Sequence, residues 1–460
     1  MVNKTFKRRE FVKQSSFVTA GAILAPGLTP SLFANSTTVA GDPAILGGQP
    51  VRTKNWPGWP IWNPETDEKR VIEDIRSGVW SRGLITTEFE EKWAKTIGAK
   101  RSLLVVNGTS ALITSLIQLN IGGGDEVIVP PYTFIATVAA VIATGAIPVF
   151  ADVDPETFQI NPDKIEEKIT PRTRAIIPVH ILGLPANMPR ILEIAKKHNL
   201  VVVEDACQAH LAEIDHQKVG TFGHAGCFSF QNSKNLAIGE GGAIVSNDEE
   251  FMDKCYSYHN YGNPYGTVVG SVGTGTVIPG TKLRITEYQA AIGLAQLKRL
   301  DEQTTTRNVN AEYLKSKIKT IPGIIPYKLN DHVTRAAFHL FPFRYKKEEF
   351  KDLPRAEFLN ALKAEGVPCS NGYLPLNKMP FLANAFKTKN YQKMYPEDML
   401  DINKYNENNK CPANDRLCNE EAVWFGQNML LGSKSDMDDI AIAIEKIHHN
   451  SEKIKNRSKN

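Results

Sequence analysis

The sequence predicts an α/β fold: a three-layer, mainly parallel sheet covered by helices on both faces, followed by a smaller C-terminal α/β domain. Three observations predict it. Short apolar runs of four to six residues recur along the chain, continuous rather than alternating, as strands buried on both faces require. A helical stretch separates each run from the next, which is how parallel neighbours are joined. From about Leu300 the pattern changes to a second, smaller set of strand and helix signals.

The elements follow in order. Residues 1–40 read as a leader, with the pair Arg8-Arg9 followed by Phe11 and Lys13 and then a weakly apolar stretch to Pro26. The order Arg-Arg-x-Phe-x-Lys resembles a twin-arginine export signal, the alternative being a disordered basic leader. Export to the periplasm is therefore expected, with a cytoplasmic location if the leader is silent. Residues 41–70 are a Pro/Trp-rich arm running into a helix. In the large domain, 71–300, "SLLVVN" is a buried strand and "GTSALITSLIQLN" a helix opened by Gly-Thr-Ser. "DEVIVP" and "TFIATVAAVIATG" repeat that unit, and "IPVFADV", "RAIIPVH" and "LVVVEDA" are further strands. The small domain, 301–450, is read from "AAFHLFPFRY", "RAEFLNALKAEGV" and the amphipathic "MDDIAIAIEKIHHN". The polar tail, 451–460, is expected to fray.

The bulk numbers narrow the function. A chain of 460 residues with 42% hydrophobic and 23% charged residues can bury a large core in two domains. A net charge of +4, evenly spread, does not suggest a nucleic-acid partner. No apolar run reaches the roughly 20 residues of a membrane span. The six cysteines form no Cys-x-x-Cys pair and there is no His-Glu-x-x-His, so no metal site is expected. Cys411 and Cys418 are close enough in sequence to bridge in an oxidising compartment, whereas Cys207, Cys227, Cys255 and Cys369 read as core fillers.

Ligands of doubly wound sheets bind at the C-terminal ends of the strands, and three such ends carry chemistry. After "SLLVVN", the turn Gly108-Thr109-Ser110 is either a plain helix cap or an anion cradle of free N–H groups and hydroxyls. After "LVVVE", Asp205 is either a cap, a buried salt bridge, or a carboxylate awaiting a cationic ring nitrogen. Lys234 is followed by Gly239, Gly241 and Gly242, which permit a ligand close to the backbone. Alone, it reads as a surface lysine. Together these residues suit pyridoxal phosphate, which needs a phosphate cradle, a carboxylate for its ring nitrogen and a lysine for its aldehyde. Hydride-transfer cofactors fit worse, because no Gly-x-Gly-x-x-Gly follows the first strand.

The segments "NGTSAL", "GDEVIVPPYTFIAT", "VVEDACQAH", "CFSFQNSKNLAIGEGGAIVSND" and "LRITEYQAAIGLAQLKRLD" together resemble the DegT/DnrJ/EryC1/StrS sugar aminotransferases, from about Gly47 to His449. The resemblance implies pyridoxal-phosphate fold type I, with Lys234 as the Schiff-base lysine, Asp205 as the ring-nitrogen partner and Gln208 beside the ring hydroxyl. It also implies phosphate contacts from Gly108, Thr109, Ser110 and Ser229, and ring stacking by Phe134. "GTKLRITE" resembles a loop lent to the second subunit of a homodimer, with Lys282 where many members have Asn. A lysine can serve there as a point charge. The implied reaction moves an amino group from glutamate or glutamine to a keto-sugar or keto-cyclitol. An aminohydroxybenzoate-type dehydration and a non-catalytic cofactor-binding protein are the alternatives. A family branch that removes a hydroxyl has histidine in place of the lysine, and Lys234 argues against it. His339, Tyr373 and Arg284 are the substrate candidates, ahead of His180, Tyr258 and His259. Leu211, where members usually have glycine after "QAH", is expected to narrow the site or shift the next turn.

Overall fold

The structure, a computed structural model, describes residues 41–268, 271 and 275–457, so the leader and its Arg8-Arg9 pattern lie outside it. The apolar runs form β1 (Arg101–Val105), β2 (Glu126–Val129), β3 (Ile147–Phe150), β4 (Thr173–Ile176) and β5 (Val201–Asp205). A small hairpin, β6 (Glu213–Ile214) and β7 (Gln217–Lys218), precedes β8 (Ala225–Ser229) and β9 (Gly242–Ser246). Seven of these strands make one sheet, in the order β1-β9-β8-β5-β4-β2-β3. Neighbours run parallel except around β9, which is antiparallel to both β1 and β8. Only residues 230–241 join β8 to β9, too few for the helical crossover that a parallel neighbour needs.

The helices are α1 (Pro64–Ser77), α2 (Leu84–Ile97), α3 (Gly108–Gln118), α4 (Ile135–Thr144), α5 (Met188–Lys197), α6 (Glu249–His259) and α7 (Glu287–Ile318). Successive strand residues feed two separate cores. Leu104, Ile128, Ile176 and Val202 pack with Phe89 and Trp93 of α2 and with α5. Leu103, Val127, Ala175 and Val203 pack with α3, α4 and α6. Alternation of strand side chains between faces thus gives the expected three layers. The boundary expected near residue 300 falls inside α7.

Three antiparallel strands, β10 (Ile324–Pro326), β12 (Leu340–Tyr345) and β13 (Ala422–Gly426), form a second sheet, while β11 (Val333–Arg335) joins β6. Helices α8 (Arg355–Ala364) and α14 (Lys434–His449) share with it a core rich in aromatics, among them Phe341, Phe343, Tyr345, Phe358 and Phe425. Between α8 and β13 the chain makes a run of short helices: α9 (Pro380–Phe386), α10 (Lys389–Met394), α11 (Glu397–Leu400), α12 (Ile402–Asn408) and α13 (Pro412–Arg416). This run covers the edge strand β3. Tyr405 donates to the Pro148 carbonyl at 2.5 Å, Tyr391 to that of Ala146 at 2.7 Å, and Phe150 N donates to Asn409 Oδ1 at 2.7 Å.

Two expectations are corrected. Residues 451–457 are not frayed: they form α15 (Ser451–Arg457), anchored by Ile454, which is 1% exposed. Cys411 and Cys418 are buried free thiols, and Cys418 Sγ turns to Asn414 Oδ1 at 3.4 Å. Among the described residues no helix is long and apolar enough to cross a membrane.

Candidate active site

The C-terminal ends of β1, β5 and β8 open into a pocket of about 470 Å³ lined by Gly108, Thr109, Phe134, Asp205, Gln208, Ser229, Lys234, His339 and Tyr373, among others. Sequence reading placed all nine in or over the site. At its floor, α3 begins one residue after Asn107, whose Oδ1 accepts from Ser110 N at 2.8 Å. Asn107 is therefore the cap, so the Thr109 and Ser110 hydroxyls are not used for capping. Gly108 cannot be larger: a Cβ there would lie 2.7 Å from Cys207 Sγ and 2.9 Å from Ser229 Cβ.

Asp205 ends β5 and is 5% exposed. Thr137 Oγ1 donates to its Oδ2 at 2.7 Å and Cys207 N to its Oδ1 at 3.2 Å. Two neutral donors orient the carboxylate without neutralising it, which leaves it ready for a cation. Gln208 is fixed at both ends: Leu182 N donates to its Oε1 at 2.8 Å, and its Nε2 donates to Tyr373 Oη at 2.8 Å. That second bond ties the loop before the short-helix run to the floor of the pocket.

Lys234 lies on the loop between β8 and β9. Its backbone N donates to the Gln231 carbonyl at 2.8 Å, and Asn232 N donates to Gly239 O at 2.8 Å. Enclosure pushes the Lys234 ammonium below the usual lysine range, against the opposing pull of Cys207 and Asp205. His339, immediately before β12, is 7% exposed, and its Nδ1 has no protein partner. Burial, reinforced by Lys234, His210 and Arg307, holds its pKa well below 6.5, so it is a neutral imidazole. A desolvated amine, an oriented buried carboxylate and a helix N-terminus at a glycine cradle fit pyridoxal phosphate in this pocket.

Other candidates fall outside the pocket. Arg284 Nη1 sits on Asn260 Oδ1 and its guanidinium faces Tyr261. Lys282 is exposed, and its backbone pairs antiparallel with that of Asn260. His180 is buried and structural: its Nε2 meets Glu204 at 3.0 Å and its Nδ1 accepts from Ala186 N at 3.0 Å. His259 Nδ1 meets the Tyr256 carbonyl within its own helix turn, and Tyr258 is not among the lining residues. Leu211 does not narrow the site. Its side chain is 2% exposed in the α2-side core, and its backbone adopts φ 62°, the left-handed conformation that suits glycine at this turn. Sequence reading missed Thr137, Cys207, Gln231 and Glu240 as site residues. For Thr137 the only signal was its place one turn into a helix that starts at the pocket.

The DegT/DnrJ/EryC1/StrS aminotransferase family matches residues 63–405, and that family depends on pyridoxal phosphate. An L-glutamine:2-deoxy-scyllo-inosose aminotransferase of Streptomyces kanamyceticus is 34% identical over 419 residues, covering 88% of this chain and 96% of that protein. The spore coat polysaccharide biosynthesis protein SpsC of Bacillus subtilis is 37% identical over 327 residues, 70% of this chain and 84% of that one. The crystal structure of 3-amino-5-hydroxybenzoic acid synthase superposes with a TM-score of 0.74 at 28% identity, covering 86% of this chain and all of the other.

Proposed function

The chain belongs to the DegT/DnrJ/EryC1/StrS aminotransferase family, and from that premise we propose that it moves an amino group from L-glutamine or L-glutamate to a keto-cyclitol of the scyllo-inosose kind. The observation that carries this reading is the meeting of Lys234, Asp205 and the α3 N-terminus in one pocket. The named activity of the Streptomyces relative, aligned over nearly its full length, supports the substrate class. Bound pyridoxal phosphate supplies an electron sink for the charge left when the amine's Cα–H bond breaks.

The chain's own residues do the rest. Gly108, Thr109, Ser110 and Ser229, with the N–H groups opening α3, would bind the phosphate. Asp205, held by Thr137, would keep a proton on the ring nitrogen. Gln208 would meet the ring hydroxyl, and Phe134 would cover the ring. Lys234 Nζ, whose ammonium enclosure pushes below the usual lysine range, would hold the aldehyde carbon until the incoming amine displaces it, and would then be free to move the proton to and from Cα. Neutral His339 and Tyr373 line the acceptor side.

A homodimer belongs to the same reading. Trp80, Leu84, Phe134 and Tyr261 are exposed, and Lys282 points to solvent, where a second copy's pocket can use it. Mixing Lys234→Ala with Lys282→Ala protein then restores part of the activity that each lacks. No recovery after subunit exchange would sink the shared site. Export by the twin-arginine route is the proposed fate. Replacing Arg8 and Arg9 by Lys is expected to keep the protein in the cytoplasm, and unchanged periplasmic recovery would overturn that.

The decisive experiment incubates purified protein with L-glutamine and 2-deoxy-scyllo-inosose and analyses the product by mass. An amino-cyclitol is expected. Lys234→Ala should lower its formation by about a hundredfold to ten-thousandfold, the range that general acid–base groups supply. Undiminished transfer by that variant would remove Lys234 from the chemistry. A dehydrated aromatic product from a cyclic amino-shikimate-like substrate would instead favour the synthase-type reaction.

A further inference from the structure

The arm over residues 44–63 has almost no secondary structure of its own, so its backbone polar groups must find partners elsewhere. They find them at both ends and, between, at Pro57 O, which accepts from Asn428 Nδ2 at 2.7 Å. At one end Ala44 N and Val51 N donate to the Glu365 carboxylate at 2.7 and 2.9 Å, and Lys446 Nζ donates to Gln49 O at 2.7 Å. Glu365 and Lys446 are themselves a buried pair at 3.0 Å. A buried pair is costly unless its remaining donors and acceptors are met, and here the arm meets them. Arg52 adds contacts to Asp436 and Asp439 of α14 at 2.5 and 2.8 Å. At the other end Gln296 and Arg299 of α7 donate to Ile61 O at 2.8 and 2.9 Å. The arm is thus strapped to the small-sheet core and to the helix beside the large sheet.

Between these anchors the strap touches the lysine loop at one point. Trp59 Nε1 donates to the Asn232 carbonyl at 3.1 Å, two residues before Lys234. The indole ring faces Arg307, whose guanidinium lies 5.2 Å from the ring centroid. Arg307 is fully buried on α7, is held by Gln427 Oε1 at 2.9 and 2.5 Å, and leaves Nη1 without a partner. The indole therefore has a fixed buried cation over its ring and a loop carbonyl at its N–H. Beyond Lys234 the loop is held firmly: Asn235 Nδ2 donates to Ala337 O at 2.8 Å, Leu236 and Ile238 are buried in the α2-side core, and Gln289 Nε2 donates to Glu240 O at 2.7 Å. Before it, the exposed Asn232 and Ser233 have local ties, such as Ser233 N to Gln231 Oε1, besides the bond from Trp59.

We propose that Trp59 is a positioning residue for Lys234, fixing the 231–239 loop through the Asn232 carbonyl so that the amine is presented at one depth in the pocket. The proposal rests on Lys234 being the reactive amine, but its structural half can be tested without that. Trp59→Phe keeps a ring on Arg307 and removes the N–H donor. Amide hydrogen exchange of the cofactor-free and cofactor-loaded full chain is the readout. Exchange at Asn232–Asn235 should rise about three- to tenfold, the loosening expected for one hydrogen bond of ordinary net strength. Exchange of the 44–56 segment should stay unchanged. Glu365→Gln should do the reverse, loosening 44–56 and leaving 231–239 protected. In the loaded enzyme Trp59→Phe should lower kcat with little change in the acceptor KM.

Unchanged exchange at 231–239 in folded Trp59→Phe overturns the proposal. Raised exchange with an unchanged kcat also overturns it, since the loop would be loosened without consequence for the amine. If Lys234→Ala retains amine transfer, the functional reading of Lys234 fails separately, and the exchange result still reports the strap.

Discussion

Leu211 shows how a single residue can look functional and be structural. At φ 62° the backbone is disfavoured by about 1–2 kcal/mol for an L side chain, yet that side chain fills a core that glycine would leave empty. Truncating a buried leucine costs about 2–5 kcal/mol, so the packing term exceeds the conformational one. Leu211→Gly is therefore expected to lose about 2 kcal/mol in chemical denaturation, and a stabilised variant would show that backbone strain dominates. The reacting groups were more legible. A carboxylate ending an apolar strand and a lysine before three glycines are conspicuous in sequence. Thr137 was not, because a helical threonine is ordinary and its partner Asp205 is 68 positions away. Thr137→Val should raise the cofactor dissociation constant by about three- to tenfold, measured by titration of the cofactor-free protein. An unchanged constant would mean that Cys207 N alone orients the carboxylate.

At the scale of elements, the parallel strands could be read because each is apolar on both faces and followed by a helix long enough to show its period. The direction of β9 could not be read from its apolar run, since direction is set by the length of the connection. The short helices α9 to α13 were missed for a related reason: four to seven residues show too little of a 3.6-residue period to stand out. Their purpose is legible only in space, where tyrosine hydroxyls and Asn409 close the hydrogen-bonding edge of β3, as an exposed sheet edge requires. Asn409→Ala leaves the buried Phe150 N without its acceptor. A loss of about 1–3 kcal/mol is expected, with the Phe150 amide exchanging faster while β5 stays protected. Loss of protection across the whole sheet would mean that the short helices hold the fold rather than guard its edge.

For the whole molecule, ten histidines in the composition say nothing about how stability depends on pH, but the environments of three of them do. Burial is the first cause that pushes His210 and His259 down to about 3 and His339 well below its ordinary value. Nearby cations add to it: Lys234 and Arg307 at His210 and His339, and Arg82 and Arg284 at His259. In the unfolded chain each ring takes up a proton near pH 6.5. Below that pH, down to the depressed native values, the unfolded state binds more protons than the fold, so stability falls as pH falls. The slope approaches about 1.4 kcal/mol per pH unit for each histidine once the pH is well under 6.5. The interval from pH 6.5 to 5 lies above most of the carboxylate range and isolates the effect. One of these rings stands beside the lysine, one begins the small sheet and one ends α6, so protonating any of them in place disrupts a different packing unit. Denaturation midpoints should therefore fall steadily from pH 7 to 5 in the wild type, and less steeply in His259→Asn, whose ring lies away from the pocket. A wild-type midpoint that is flat across this interval would mean that the buried rings are charged in the fold and that the neutral imidazole assigned to His339 is wrong.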